Sequence, residues 1–236
     1  MSQPGPPNQH AFTEEQRKAV YAAIVQRRDI RHFRGDPVPD EVLARILQAG
    51  NHAPSVGFCQ PWNFLVIHDL ERRKQLRKHV EEERLAGALR FDGERRDAYL
   101  KLKLEGIVDA PLNLCITCDR ERFGPAVLGK NTIIDSDIYS SVTAVQNIWL
   151  AARAEGVGVG WVSILRNAFL REFLQLPPKV QPLAYLCMGY PESFPPRPTL
   201  ETKGWLPRLA LADLVYENGW GKEPSPGLKQ RLEDPQ

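Results

Sequence analysis

Apolar and polar positions along the chain repeat with two periods. Residues 13–28, TEEQRKAVYAAIVQRR, place Val20, Ala23 and Ile24 at helical spacing, with Thr13 as a cap and Gln16 at its capping-box position. Residues 40–50 predict a second helix: Val42, Leu43, Ile46 and Leu47 form a face, Asp40 is a candidate cap and Gly50 a stop. The charged stretch 70–106 predicts helix broken near RFDGER. Residues 136–155 predict a long helix with Ile138, Val142, Val145, Ile148 and Trp149 on its apolar side, and 167–175 a short one. Strands are predicted over 63–68, over 111–118, from the glycine-rich GVGVGWVSI onward, and over the apolar run VQPLAYLCMGYP. Helices and strands alternate irregularly, so the sheet is expected to be mixed and mostly antiparallel, flanked by helices, in an α+β fold.

Proline, glutamine and asparagine mark residues 1–12 as a flexible arm, and 222–236 read as a flexible tail. Between them, 13–221 is expected to form one domain, its end mostly extended. With 236 residues, 42% of them hydrophobic, the chain is long enough for a sizeable core. The 31 basic and 29 acidic residues nearly cancel, leaving no overall attraction to nucleic acid or to an anionic membrane. No apolar run approaches the roughly 20 residues that span a bilayer, and the start of the chain lacks the order of a signal peptide. A cytoplasmic protein is expected.

Three stretches carry candidate chemistry. In RRDIRHF, Arg27, Arg28 and Arg31 surround Asp29 at a predicted helix end. Guanidinium groups grip phosphate through paired hydrogen bonds, but helix C-termini attract arginines for dipole reasons alone. In APSVGFCQPWNF, a turn at Pro54 and Ser55 precedes a strand and exposes backbone N–H groups, with Trp62 most simply a core residue. In EGVGVGWVS, glycines at alternate positions leave one side of the strand bare, either for a flat ligand or for a close contact within the fold. Cys115 and Cys118 form a C-x-x-C inside a strand pattern, which favours ordinary strand cysteines over redox or metal chemistry, and no metal site is expected.

Together these stretches resemble the flavin-dependent nitroreductase superfamily, over about residues 15–220. RRDIRHF is similar to its arginine-rich opening, and HAPSVGFCQPWNF to its A-P-S…Q-P-W-x-F signature. Asp29, together with LKLEGIVDAPLNLCITCDR and AVQNIWLAARAEGVGVGWVSI, resembles the branch of 5,6-dimethylbenzimidazole synthases, the flavin destructases. The resemblance implies a homodimer with flavin mononucleotide at the interface. It implies that the reduced flavin is a substrate, fragmented with dioxygen to 5,6-dimethylbenzimidazole and erythrose 4-phosphate for the lower ligand of cobalamin. A separate flavin reductase would supply the electrons. An NAD(P)H-dependent nitroreductase or flavin dehalogenase, and a flavin carrier without turnover, are the alternatives.

By the same resemblance, Arg27, Arg28, Ile30 and Arg31 are expected to hold the flavin, sharing its phosphate and the polar edge of its ring, with Arg208 also on the phosphate. Pro54 and Ser55 are expected to pack on the flavin across the dimer interface, and Gly158, Gly160 and Trp161 to run along the reactive edge of the ring. Ser163 would hydrogen-bond the flavin or its breakdown products. Asp29 is the expected proton shuttle, with orientation of the arginines as its rival role. Residues 80–106 are expected to form a helical lid.

Overall fold

The structure is a computed structural model and describes residues 10–233. Chain contacts divide it into two compact units, one running to Phe194 and the other starting at Pro195. Residues 1–9 of the expected arm and 234–236 of the expected tail lie outside the described residues.

The first unit is built on four strands: β1 (Trp62–Ile67), β2 (Leu112–Asp119), β3 (Gly158–Val162) and β4 (Val180–Gly189). They pair antiparallel in the order β1-β2-β4-β3. One parallel bridge, between Asp29 and Val159, makes the arrangement mixed. Every residue of β2 is buried, because both of its faces are covered. Leu112, Leu114 and Ile116 join Leu43, Ile46, Val145 and Ile148 in one apolar cluster, while Cys115 joins Leu76, Val80 and Leu170 in another. The helices behind these clusters are α1 (Glu14–Gln26), α2 (Asp40–Asn51), α3 (Leu70–Ala88), α4 (Gly93–Leu100), α5 (Ser136–Ala154) and α6 (Asn167–Phe173). Cluster membership puts α2 and α5 on one face of the sheet, and α3 and α6 on the other. Among the described residues, no helix is long and apolar enough to cross a membrane.

Thr13 caps α1 as expected, in a capping box with Gln16. The helix stops at Gln26 instead of 28, and Arg27 turns extended (φ −59°, ψ 135°). The Val20–Ala23–Ile24 stripe does not enter the core of this chain: α1 has no buried residue. In α2, Gly50 is not the stop. The helix continues to Asn51, Pro39 takes the cap position in place of Asp40, and a Cβ at Gly50 would fall 2.6 Å from Ile148 Cγ1. The glycine is there so that α5 can cross closely.

The second unit holds α7 (Thr199–Thr202), a 3₁₀ turn at Leu211–Leu214 and α8 (Pro226–Glu233). The segment expected to be extended therefore carries local helical turns, and most of the expected flexible tail is helix. Its signals are in the sequence: Pro226 opens the helix at a position where a missing N–H costs nothing. Ser225 O accepts from Lys229 N at 2.9 Å, and Ser225 N donates to Glu217 Oε2 at 2.6 Å.

Candidate active site

After α1 ends, Arg27–Phe33 runs extended beside β3. Ile30 N donates to Val159 O at 2.9 Å, and Ile30 and Phe33 are buried. The glycines of β3 make this approach possible. A Cβ at Gly158 would lie 2.9 Å from Ile30 Cγ1; at Gly160 it would lie 2.5 Å from Arg31 Nη1, and closer still to the Ile30 carbonyl oxygen. The bare side of the glycine run thus receives this chain's own backbone, which is the close-contact alternative read from the sequence.

That contact fixes Asp29. Its Oδ1 accepts from Trp161 N at 2.9 Å and from Arg31 Nη1 at 2.5 Å, and its Oδ2 pairs with Arg31 Nη2. Arg31 also donates to the carbonyls of Trp161 (2.9 Å) and Ile30 (3.1 Å). The Arg31 side chain is only 15% exposed, whereas that of Asp29 is 44% exposed. A two-pronged ion pair of this kind fixes orientation as well as charge. The carboxylate therefore reaches solvent in one orientation, held by a guanidinium and a strand N–H. Arg27 lies over the Trp149 ring, 4.7 Å from its centroid. Arg28 donates to the carbonyls of Val25 and Arg27 at 2.7 Å each, and its own carbonyl accepts from Trp149 Nε1 at 3.3 Å.

Beyond Trp161, β3 leads to exposed Ser163 and a cleft of about 680 Å³, lined by Trp161–Ser163, Leu165–Ala168 and Leu183–Tyr185. Helix α3 braces its far wall: Glu83 pairs with Arg166 at 2.5 Å. His79 stacks on Phe169 with centroids 3.7 Å apart and accepts from Arg166 N at 3.4 Å. The expected lid segment 80–106 thus comprises the end of α3, then α4 and a coil.

Pro54 and Ser55 belong to a different construction. Pro54 O accepts from Thr143 Oγ1 (3.0 Å), Val56 N donates to Ser140 Oγ (3.0 Å), and Ser55 Oγ accepts from Gln60 N (3.1 Å). Gly57, Phe58 and Gln60 all have positive φ (61°, 53° and 42°), and Phe58 is 79% exposed. Arg122 donates to the carbonyls of Gln60 (2.7 Å) and Trp62 (3.0 Å). This loop is anchored to the first half of α5, whereas Arg27–Arg31 is anchored at Trp149, in its second half. From Thr143 to Trp149 is about 9 Å along the helix axis.

Arg208 lies in the second unit, in the coil before the 3₁₀ turn. Cys115 and Cys118 are free and buried. Burial pushes their thiols up to about 12 and about 11, so neither is a thiolate nucleophile near neutral pH. Among the described residues no cluster of metal-ligating side chains occurs. Arg122 and the buried Arg73 were not legible in the sequence as site-shaping residues, since each sits in an ordinary charged run.

The Nitroreductase family model matches residues 24–190. A 5,6-dimethylbenzimidazole synthase of Rhodospirillum rubrum is 41% identical over 197 residues, covering 84% of this chain and 93% of that protein. One of Rhodobacter capsulatus is 34% identical over 198 residues, covering 84% and 96%. Among solved structures, an oxidized iodotyrosine deiodinase bound to FMN and 3-iodo-L-tyrosine superposes with a TM-score of 0.64 at 22% identity, covering 75% of this chain and 92% of that one. A family match over most of the chain and a near full-length relative at 41% identity agree with the fold and with the Asp29 segment: the chain belongs to the nitroreductase family, in its 5,6-dimethylbenzimidazole synthase branch.

Proposed function

We propose that the protein fragments reduced flavin mononucleotide with dioxygen, yielding 5,6-dimethylbenzimidazole and erythrose 4-phosphate. The observation that carries this reading is Asp29. A carboxylate fixed by Arg31 and by the N–H of Trp161 is held beside β3, two residues short of Ser163 along that strand's course, in a chain whose near full-length relatives are named for this synthesis.

The residues fit flavin mononucleotide. Arg27 and Arg28 supply guanidinium groups suited to a phosphate. Trp161, Val162, Leu165 and Leu170 give the cleft apolar walls, and Ser163 and Asn167 add polar groups suited to orienting a flat ring. When bound, the reduced flavin supplies the electrons that dioxygen accepts and the ring that is broken. Asp29 accepts and returns protons at its carboxylate oxygens, and Arg31 and Trp161 N–H hold it in one position, which supplies much of the catalytic effect. Ser163, on the cleft wall, would donate a hydrogen bond to the flavin or its breakdown products. The α3–α6 contacts support a lid that keeps water out.

The flavin site is completed by a second copy of the chain. Support comes from the separation of the two constructions along α5, and from apolar side chains facing solvent around both: Val25 on α1, Phe58, Leu128, Ile134 and Tyr139. Exposure of this extent marks an association surface. On this reading Pro54 and Ser55 of one copy meet the Arg27–Arg31 segment of the other, Arg208 holds phosphate as the family resemblance implies, and a separate cytoplasmic reductase supplies reduced flavin.

The test is to mix the protein with excess reduced flavin mononucleotide in air and analyse the products by mass spectrometry. 5,6-Dimethylbenzimidazole is expected. Intact oxidised flavin as the sole end product would instead mark a nitroreductase-like or carrier role.

A further inference from the structure

Arg73, on α3, is buried at 6% exposure. Its Nη1 donates to the carbonyls of Ile107 (3.2 Å), Val108 (3.3 Å) and Ala110. Among the described residues its Nε has no hydrogen-bond partner, and no carboxylate pairs with it. A buried cation compensated by carbonyl dipoles alone is a poor device for stability, and apolar replacements of buried ionic groups are often neutral or better. What it does accomplish is to fix the connector 105–110.

Other contacts hold that connector in the same place. Asn113 Nδ2 donates to Ile107 O at 2.9 Å, Ala110 N to Gly106 O at 2.9 Å, and Ile107 N to Glu105 Oε2 at 2.7 Å. One turn along α3 from Arg73, Arg77 pairs with Glu105 at 3.4 Å. The connector presses on the active-site segment at Gly106. A Cβ there would lie 2.6 Å from Phe33 Cε2 and 3.1 Å from the Arg31 carbonyl oxygen. Arg31 is the residue that grips Asp29. A contiguous chain of contacts therefore runs from α3 through Arg73, the connector and Gly106 to Arg31 and Asp29.

We infer that Arg73 is a positioning residue: it sets Asp29 by holding the 105–110 connector against the Arg31–Phe33 backbone, and it ties that carboxylate to the helix that braces the cleft. As a statement about turnover, this rests on the flavin-fragmenting reading above; as a statement about geometry, it does not.

The full chain is compared with Arg73→Met, Arg73→Lys and Gly106→Ala. The first readout, in ligand-free protein, is hydrogen exchange at the Trp161 amide, whose acceptor is Asp29. Arg73→Met and Gly106→Ala are expected to speed this exchange about tenfold while β2 amides keep their protection. Arg73→Lys, which keeps a donor in place, is expected to fall between. The second readout is the fraction of reduced flavin that emerges as 5,6-dimethylbenzimidazole and not as intact oxidised flavin. It is compared at equal concentrations of folded protein, with reduced flavin limiting, because free reduced flavin also reoxidises in air. It is expected to drop about tenfold, with oxidised-flavin affinity changed less than about threefold. Unchanged Trp161 exchange in a folded Arg73→Met or Gly106→Ala protein overturns the inference, and so does an unchanged product fraction alongside faster exchange. If Arg73→Met fails to fold, Gly106→Ala decides, because it disturbs the same contact with Arg73 intact. A wild-type protein that makes no 5,6-dimethylbenzimidazole defeats the proposed function, and the hydrogen-exchange rates alone then decide whether Arg73 is coupled to Asp29.

Discussion

The two constructions on α5 solve opposite problems. Around Asp29, polar groups are satisfied by one another. The carboxylate, the Arg31 guanidinium, the Trp161 N–H and two carbonyls close a network against a strand bared by glycines. Around Pro54 and Ser55, the backbone is bent into left-handed conformations at Gly57, Phe58 and Gln60. Hydroxyls of Ser55, Ser140 and Thr143, together with Arg122, hold it there. Non-glycine residues in that region cost about 1–3 kcal/mol each and persist where the surroundings over-determine them. One half positions a charge, and the other displays an exposed aromatic side chain at a conformational cost. In the proposed two-copy arrangement, the charge of one half would meet the displayed loop of the other.

The largest effect is expected where the first half has no slack. Gly160→Ala would drive a methyl into the Ile30 carbonyl and the Arg31 guanidinium. A destabilisation of about 3 kcal/mol is expected, at the upper end of overpacking costs, with loss of flavin binding. Gly158→Ala meets side-chain and not backbone atoms, the buried Ile30 Cγ1, Cβ and Cγ2, and should cost less, about 1–2 kcal/mol. Denaturant midpoints for the pair check both. Equal, small costs would mean that the segment can slide along β3 and that the geometry at Asp29 is not fixed by close contact.

Next in size is the chemistry. Asp29→Asn keeps an acceptor for Trp161 N–H and removes the ion pair. Product formation is expected to fall about 10²- to 10⁴-fold, the range of a lost general acid–base group. Oxidised-flavin affinity, read by fluorescence titration, should change little. Product yield equal to wild type would reduce Asp29 to an orienting partner of Arg31.

The contrast between the halves also explains what the sequence disclosed. Strands and most helices were legible because β2 alternates, β4 is a largely apolar run, and α2 and α5 are periodic. The Asp29 motif was legible as a resemblance, and its charge pattern alone left anion binding undecided. Three features were not legible. Gly50 reads as a helix stop because the crossing of α5 that requires it is a tertiary fact. The Val20–Ile24 stripe reads as core because an exposed apolar helix face has the same period as a buried one. Arg73 reads as one more charge in LERRKQLRK, since burial of a single guanidinium leaves no local signal. The α8 helix was legible and under-read: Ser-Pro followed by Leu228 and Leu232 at i and i+4 is a helix start with an apolar pair.

A smaller effect tests the second half. Ser55→Ala leaves Gln60 N without its acceptor and should cost about 1 kcal/mol. Because the loop is over-determined, the fold is expected to survive, with positive φ at Phe58 relaxing and flavin affinity weakening more than stability. If affinity is untouched in a protein of wild-type midpoint, the loop does not contribute to the flavin site, and the two-copy arrangement loses its second member.

The smallest effect at working pH separates the halves by their cysteines. Cys59 sits in the second half and Cys187 lies on β4 in the core cluster that holds Ile30 and Phe33; both are free and buried. Burial pushes the Cys59 thiol upward, and that of Cys187 up to about 12. A thiol whose pKa is raised by folding favours the native state while it stays protonated. Its contribution is therefore complete below the unfolded value of about 9, and is lost as pH rises from there through the native value. Stability should be flat from pH 7 to 8.5 as far as these groups are concerned, and should fall above pH 9. In the flat range native protein should resist thiol-specific reagents, and any labelling should appear at Cys59 before Cys187, because opening the strained loop exposes the first without unfolding the sheet. Labelling of Cys187 at a rate equal to that of Cys59 would mean that both halves open together, and that the rigidity assigned to the Asp29 side is no greater than that of the loop.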